Sequence, residues 1–145
     1  MEHISHSAEE TKRIAADFAR MLRGGEVVLL EGGLGSGKTT FVQGVAEALG
    51  ISEPVRSPTF AVLQTYPISS HSVIRELVHM DAYRLKSPED IADLGLEEWL
   101  GRPDVVFFME WPWIVSGLNL PATHEIIFSS DGDPRRITLH VLPKR

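Results

Sequence analysis

A glycine-rich segment between an apolar run and a helical pattern constrains the fold of this chain more than any other feature. The segment from Gly32 to Thr39 reads GGLGSGKT and matches the pattern GxxxxGK[ST]. It follows the apolar run Val27 to Leu30, which predicts a buried strand, and it precedes a helical pattern from Thr39 to Leu49. A strand, a loop and a helix in this order direct backbone N–H groups and a helix N-terminus at one point, where phosphate groups bind. We therefore predict that the chain binds a nucleoside triphosphate.

The residue types in the loop suit the chemistry of phosphate binding. Glycines keep side chains away from the phosphates and permit the positive φ angles that such a loop needs. Lys38 is expected to contact the β- and γ-phosphates, and the Thr39 hydroxyl is expected to bind Mg²⁺. The alternative is a glycine-rich turn that binds nothing, and the flanking strand and helix disfavour it. The predicted nucleotide-binding residues of the loop are Leu34, Gly35, Ser36, Gly37, Lys38, Thr39 and Thr40.

Length, composition and charge restrict the class of protein. We predict a single domain over residues 1–145, because this length supports one core and is short for two domains. The absence of cysteine excludes disulfides, thiolate metal sites and a cysteine nucleophile. With no apolar stretch of membrane-spanning length and no signal-peptide pattern, we expect a cytoplasmic protein without membrane association. A net charge of −6 without a basic run makes the chain a poor candidate for gripping nucleic acid alone.

The periodicity predicts an α/β fold, in which a mixed central sheet is flanked by helices as in P-loop NTPases. A capping-box pattern at Ser7 to Glu10 begins a helix that continues to Leu22, and Ser87-Pro88 begins another. The strands before and after the turn 68–71 are close enough in sequence for an antiparallel hairpin, and the last two strands predict a second one. The fully apolar run 105–109 is expected beside the first strand in the sheet centre. The predicted strands are 26–31, 60–66, 73–80, 105–109, 125–129 and 136–141.

Triphosphate chemistry also requires acidic groups near the metal, and two carboxylates follow predicted strands. Glu110 comes directly after the apolar run, and Asp81 ends the strand that begins at Val73. Ligands of open α/β sheets bind at the carboxyl ends of the strands, and Mg²⁺ accepts one or two carboxylates. We therefore predict that both acids lie near the metal. Thr59 lies in a loop of the kind that senses the γ-phosphate, whereas His79 is interpreted as a structural residue.

The phosphate loop with Thr40 is followed in order by Ser57-Pro58-Thr59-Phe60, by His79 to Leu85, and by Glu110-Trp111-Pro112. Together these segments resemble the TsaE (YjeE) family, the small bacterial ATPases of threonylcarbamoyladenosine synthesis in tRNA. The segment from Leu94 to Leu100 is also similar to the family's segment before the strand that ends in Glu-Trp-Pro. One departure is Gly33, where the family usually has Asp. That position does not cradle phosphate, so the departure leaves the predicted nucleotide site intact.

The resemblance implies a function as well as a site. Members bind ATP or ADP with Mg²⁺, hydrolyse ATP slowly alone and act with the TsaD and TsaB proteins, which transfer threonylcarbamoyl to adenosine 37 of tRNAs reading ANN codons. The ATPase sustains turnover of that complex, and the tRNA is contacted mainly through the partners. Lys38, Asp81 and Glu110 would be catalytic, Thr39, Asp81 and Glu110 would hold the metal, and Thr59 would belong to a switch-like loop.

Other assignments stay open from the sequence. The same loop serves small-molecule kinases, although the chain shows no arginine-rich lid, and it also serves nucleotide-dependent interaction modules. The division of roles between Asp81 and Glu110 is undecided, and Arg84 is not assigned as an arginine finger. Trp111 either positions the end of its strand or packs as a partly buried aromatic. For adenine recognition, the segments 7–11 and 131–136 are only candidate neighbours.

Overall fold

The computed structural model describes residues 1–33, 35–56, 63–81, 95–110, 121–129 and 134–143. Within these ranges the chain forms strands, two α-helices and a short 3-10 helix. In chain order they are β1 (Glu2–Ser5), α1 (Ala8–Ala19), β2 (Val27–Glu31), α2 (Lys38–Ala48), β3 (Leu63–Pro67), β4 (Glu76–Asp81), the 3-10 helix (Leu96–Glu98), β5 (Val105–Glu110), β6 (His124–Phe128) and β7 (Arg135–Val141).

The strands form one mixed seven-stranded sheet in the order β1-β7-β6-β2-β5-β4-β3. The four central strands are parallel, because β2 pairs with both β5 and β6 and β4 pairs with β5. The outer strands β3 and β7 are antiparallel to their inner neighbours, and β1 is antiparallel to β7. The carboxyl ends of the four parallel strands therefore meet at one edge of the sheet, and the glycine loop leaves β2 at that edge.

Apolar side chains cover both faces of the sheet centre, as expected for central parallel strands. On one face, α1 and α2 pack against alternate residues of the strands, among them Leu30 and Phe108. On the other face, Leu96 of the 3-10 helix packs with the intervening residues, among them Phe107. Every residue of β5 is buried, as the fully apolar run predicts.

The predicted order of elements is largely confirmed, with differences at the boundaries. As predicted, the apolar strand β5 lies beside β2 in the sheet centre. The pairs β3–β4 and β6–β7 are antiparallel, as the two predicted hairpins require. Helix α1 ends at Ala19 rather than Leu22, because the N–H groups of Met21 and Leu22 bond three residues back in a tighter turn. Strand β4 begins at Glu76 rather than Val73. Residues 60–62 and the predicted helix at Ser87 lie outside the described ranges.

Strand β1 was not predicted. It contains only four residues, and three of them are not buried. Its ladder runs from Glu2 opposite Thr138 to Ser5 opposite Arg135. The strand therefore forms because it pairs with β7, which lies more than a hundred residues later in the sequence.

Helix α1 packs closely against Gly44 of α2. A Cβ atom on Gly44 would lie 2.8 Å from the Cβ of Ala15 and 2.8 Å from the Cα of Lys12. We expect Gly44→Ala to lower the free energy of unfolding by up to about 2 kcal/mol. Moving the helices apart costs about 1–3 kcal/mol, and the higher helix propensity of alanine returns about 1 kcal/mol of it.

Urea denaturation of the Gly44→Ala variant checks this expectation. Glu47→Ala is the matched control, because it removes only the exposed 2.9 Å ion pair between Lys12 and Glu47 at the rim of the same contact. Such pairs contribute about 0–1 kcal/mol. A Gly44→Ala protein at least as stable as wild type would show that the helices do not depend on this close approach.

Candidate active site

The glycine loop between β2 and α2 adopts a backbone that requires its glycines. Gly35 and Gly37 have positive φ angles of 73° and 106°, and Gly37 is the N-cap of α2. Gly32 has no room for a side chain, because a Cβ would lie 2.6 Å from Ser36 Oγ and 3.0 Å from the carbonyl oxygen of Phe128. The loop thus folds closely over the end of β6 and leads directly into the N-terminus of the helix.

Lys38, the first residue of α2, points back across this loop. The residue is 6% exposed, and Nζ donates hydrogen bonds to the carbonyl oxygens of Gly32 and, at 3.0 Å, of Gly33. Burial lowers the pKa of Lys38, while the carboxylates of Glu110 and Asp81 act in the opposite direction and raise it. The ammonium group therefore lies within electrostatic reach of both predicted metal-binding acids.

Asp81 and Glu110 are the last residues of two neighbouring parallel strands. They are paired directly in the register of β4 and β5, and Glu110 is also opposite Leu30 of β2. Side chains alternate along a strand, so both acids are on the face where Leu30 and Phe108 contact the helices. Both acids thus lie on the helix-covered face of the sheet, at the edge where the glycine loop connects β2 to α2.

A buried hydrogen bond fixes one of these carboxylates. Nε2 of His79 lies 2.9 Å from Oε2 of Glu110, and the His79 side chain is fully buried. Because a carboxylate only accepts hydrogen bonds, Nε2 carries the proton in this contact. Within the described residues Nδ1 has no hydrogen-bond partner. His79, interpreted from the sequence as a structural residue, is thus buried and holds the carboxylate of Glu110.

The structure brings most of the predicted site residues to one edge of the sheet. Residues 35–40 form the loop and the first turn of α2, with Thr39 and Thr40 half-buried, and the two acids lie beside them. Leu34, Thr59, Arg84 and Trp111 are outside the described ranges. The contact between His79 and Glu110 was not predicted from the sequence. Strand alternation puts both residues on the same face of two neighbouring strands, which is the signal that could have indicated it.

The chemistry of the described donors fits Mg²⁺ rather than a softer metal. Two carboxylates and the Thr39 hydroxyl are hard oxygen ligands, which Mg²⁺ prefers in combination with water and substrate phosphates. In the described part of the chain, no group of three or more His, Cys, Asp and Glu side chains is placed to hold a metal ion.

This combination defines the class of protein. A parallel sheet centre with a GxxxxGKT loop at its carboxyl edge, leading into a helix, is the arrangement of an α/β domain with a P-loop NTPase-like fold. Over the ranges that the structure describes, none of its helices has the length and apolar character of a membrane span.

Comparison with known proteins identifies the family within this class. The model of the family "Threonylcarbamoyl adenosine biosynthesis protein TsaE" matches residues 5–137. A curated tRNA threonylcarbamoyladenosine biosynthesis protein TsaE from Rickettsia conorii is 38% identical over 93% of this chain and 74% of its own length. The protein of the same name from Bacillus subtilis is 38% identical over 88% of this chain and 77% of its own length. The chain belongs to the TsaE family.

A solved structure agrees with this assignment. The crystal structure of Bacillus subtilis YdiB is similar with a TM-score of 0.77 and 32% sequence identity, covering 99% of this chain and 86% of that one. The predicted fold class, a P-loop NTPase-like α/β domain, is confirmed. The family name connects the chain to threonylcarbamoyladenosine biosynthesis in tRNA.

Proposed function

We propose that this protein is a Mg²⁺-dependent ATPase that works in the cytoplasm to sustain formation of threonylcarbamoyladenosine at position 37 of tRNAs reading ANN codons. It would act with the TsaD–TsaB complex, which transfers the threonylcarbamoyl group and holds the tRNA. The family name supports the pathway. The net charge of −6 supports a division of labour in which partners contact the nucleic acid.

The observation that carries the ATPase proposal is the register of three parallel strands. Glu110 is opposite both Leu30, two residues before the glycine loop, and Asp81. Lys38 is electrostatically coupled to both acids. A cation suited to phosphates and two carboxylates suited to a metal thus lie near the same loop, which supports a role in phosphoryl transfer.

In this proposal, several residues of the chain have separate roles in ATP hydrolysis. The N–H groups of the loop and the first turn of α2 hold the β- and γ-phosphates, and Lys38 neutralises charge that grows on them. Thr39, Asp81 and Glu110 would hold Mg²⁺, which when bound neutralises the phosphate oxygens. A water forms the new bond to the γ-phosphorus in line with the bond that breaks, so that ADP and inorganic phosphate leave. His79 holds Glu110 in place throughout.

Replacing Glu110 separates nucleotide binding from the biological activity. We expect Glu110→Ala to retain ATP binding through the loop but to lose hydrolysis by about 100-fold or more, because a group that positions the metal or the water is gone. Multiple-turnover tRNA modification with purified TsaD and TsaB should then fail. Glu110→Gln, which still offers an acceptor to His79, should fail in the same way. Thermal melting of the Glu110→Gln variant shows whether it is folded, and so distinguishes loss of chemistry from loss of fold.

The controls test the alternatives directly. Glu97→Ala removes an exposed carboxylate of the 3-10 helix and should behave as wild type. Omitting ATP should stop turnover by the wild-type protein. Full modification activity from either Glu110 variant would contradict the proposal and favour an interaction module, whereas phosphate transferred to an added acceptor would favour a kinase.

A further inference from the structure

A side chain of α2 holds the chain segment that follows this helix. Nε2 of Gln43 donates a hydrogen bond to the carbonyl oxygen of Val55 at 2.8 Å. Val55 and Ile51 are both buried in the core, whereas the residues between them are exposed. The N–H of Ile51 bonds to the carbonyl oxygen of Ala46 in the last turns of α2. The segment is therefore fixed against the helix at two points, and Gln43 provides the point nearer the N-terminus of α2.

The geometry of the helix relates this hydrogen bond to the proposed metal site. Gln43 comes four residues after Thr39, so the two side chains lie on the same face of α2, one turn apart. Helical side chains also tilt toward the N-terminus of their helix, which here is the glycine loop. The hydroxyl of Thr39 is predicted to bind Mg²⁺. The carbonyl oxygen of Val55 is therefore held on the face of α2 that carries a predicted metal ligand.

The chain enters the sheet again at the strand end that carries another predicted metal ligand. Strand β3 begins at Leu63, whose register partner in β4 is Met80. Met80 directly precedes Asp81, the last residue of β4. The sequence between Val55 and Leu63 contains Thr59, which is predicted to sense the γ-phosphate and lies outside the described ranges. Gln43 thus fixes one of the two points between which the chain connects the helix of the glycine loop to the end of β4.

We propose that Gln43 is a positioning residue for ATP hydrolysis, and that it acts by holding Val55 beside α2 rather than by touching the nucleotide. This inference rests on the proposed ATPase and adds to it a residue outside the glycine loop. Without the donor, the start of the connection to β3 can move away from the Thr39 face of α2. Hydrolysis requires the metal and the γ-phosphate to be placed correctly on that face, whereas ADP binds through the N–H groups of the loop. The loss should therefore appear in the rate of hydrolysis and not in the affinity for ADP.

The test removes the donor while keeping the length of the side chain. We expect Gln43→Met to lower kcat for ATP hydrolysis by about tenfold, the size of one hydrogen bond, and to leave the Kd for ADP unchanged. Gln43→Lys, which again offers a donor to the Val55 carbonyl, should recover most of the rate. Glu47→Met is the matched control, because Glu47 lies one turn further along α2 and contacts Lys12 of α1 instead. Steady-state hydrolysis and ADP titration give these values, at a temperature where thermal melting shows every variant to be folded.

The outcomes separate this inference from the function on which it rests. An unchanged kcat in Gln43→Met, or an equal loss in Glu47→Met, would overturn the role of Gln43 while leaving the ATPase in place. Equal losses in Gln43→Met and Gln43→Lys, or a parallel loss of ADP affinity, would mean that the residue only supports the fold of α2, which also overturns the inference. A wild-type protein that hydrolyses no ATP would overturn the proposed function itself, and the role of Gln43 with it.

Discussion

Lys38→Met is expected to lower the rate constant of ATP hydrolysis by about 100-fold or more, because it removes the charge that stabilises the transferred phosphoryl group. Methionine keeps most of the buried stem, so the packing of the first turn of α2 should survive. What is lost is the ammonium group that donates to the carbonyl oxygens of Gly32 and Gly33. ATP affinity should also weaken, by about tenfold or more, because a charge-assisted contact to the phosphates is gone.

The electrostatic surroundings of Lys38 make the loss larger than that of a single contact. Its ammonium group interacts favourably with Glu110 and Asp81. Without it, a positive charge that offsets the repulsion between the two carboxylates at the paired strand ends is gone, which disfavours the approach of a triphosphate. Single-turnover hydrolysis and nucleotide titration measure both effects.

Lys12→Met is the matched control for this prediction. This variant loses the partly exposed ion pair between Lys12 and Glu47, which joins α1 to the last turn of α2 rather than to the loop. It should retain hydrolysis near the wild-type rate and lose only a few tenths of a kcal/mol of stability. If Lys38→Met hydrolysed ATP as fast as Lys12→Met, Lys38 would have no part in the chemistry.

Much of this site was predictable because local patterns determine it. The apolar run before the loop, the glycines within it and the helical pattern after it involve neighbours in sequence. The strands that end in Asp81 and Glu110 follow from their own apolar runs, and parallel pairing then places the two residues side by side. Their positions agree with the expectation, whereas their roles in metal binding and catalysis stay predictions.

The remaining features depend on partners that are distant in sequence. Strand β1 exists through its pairing with β7, and no pattern within its four residues specifies that edge. The bond from His79 to Glu110 joins residues 31 apart, and its prediction required the register of β4 against β5 as well as their adjacency. In each case the sequence supplied suitable residues, and the tertiary fold determined which of them meet.

His79→Phe is expected to lower the free energy of unfolding by about 3 kcal/mol, because it leaves a buried carboxylate without its hydrogen-bond donor. The Glu110 side chain is 7% exposed and that of His79 is 0% exposed, so water cannot easily replace the lost bond. Phenylalanine retains a planar ring in the core, which limits the cavity term. The rate of ATP hydrolysis should fall as well, since Glu110 loses the contact that fixes its orientation beside Asp81.

A donor-retaining variant and a double-mutant cycle distinguish this electrostatic role from simple packing. His79→Gln can place an amide N–H near the position of Nε2, so it should lose only about 1 kcal/mol and keep more of the hydrolysis. Combining His79→Phe with Glu110→Gln removes the charge that the histidine holds, and we expect a coupling of about 2 kcal/mol between the two sites in urea denaturation. Equal losses for His79→Phe and His79→Gln, with no coupling to Glu110, would mean that the ring matters only for its volume. A measured coupling would instead make His79 the residue that keeps Glu110 ready for the metal, because the same bond that stabilises the fold also fixes the carboxylate that the chemistry requires.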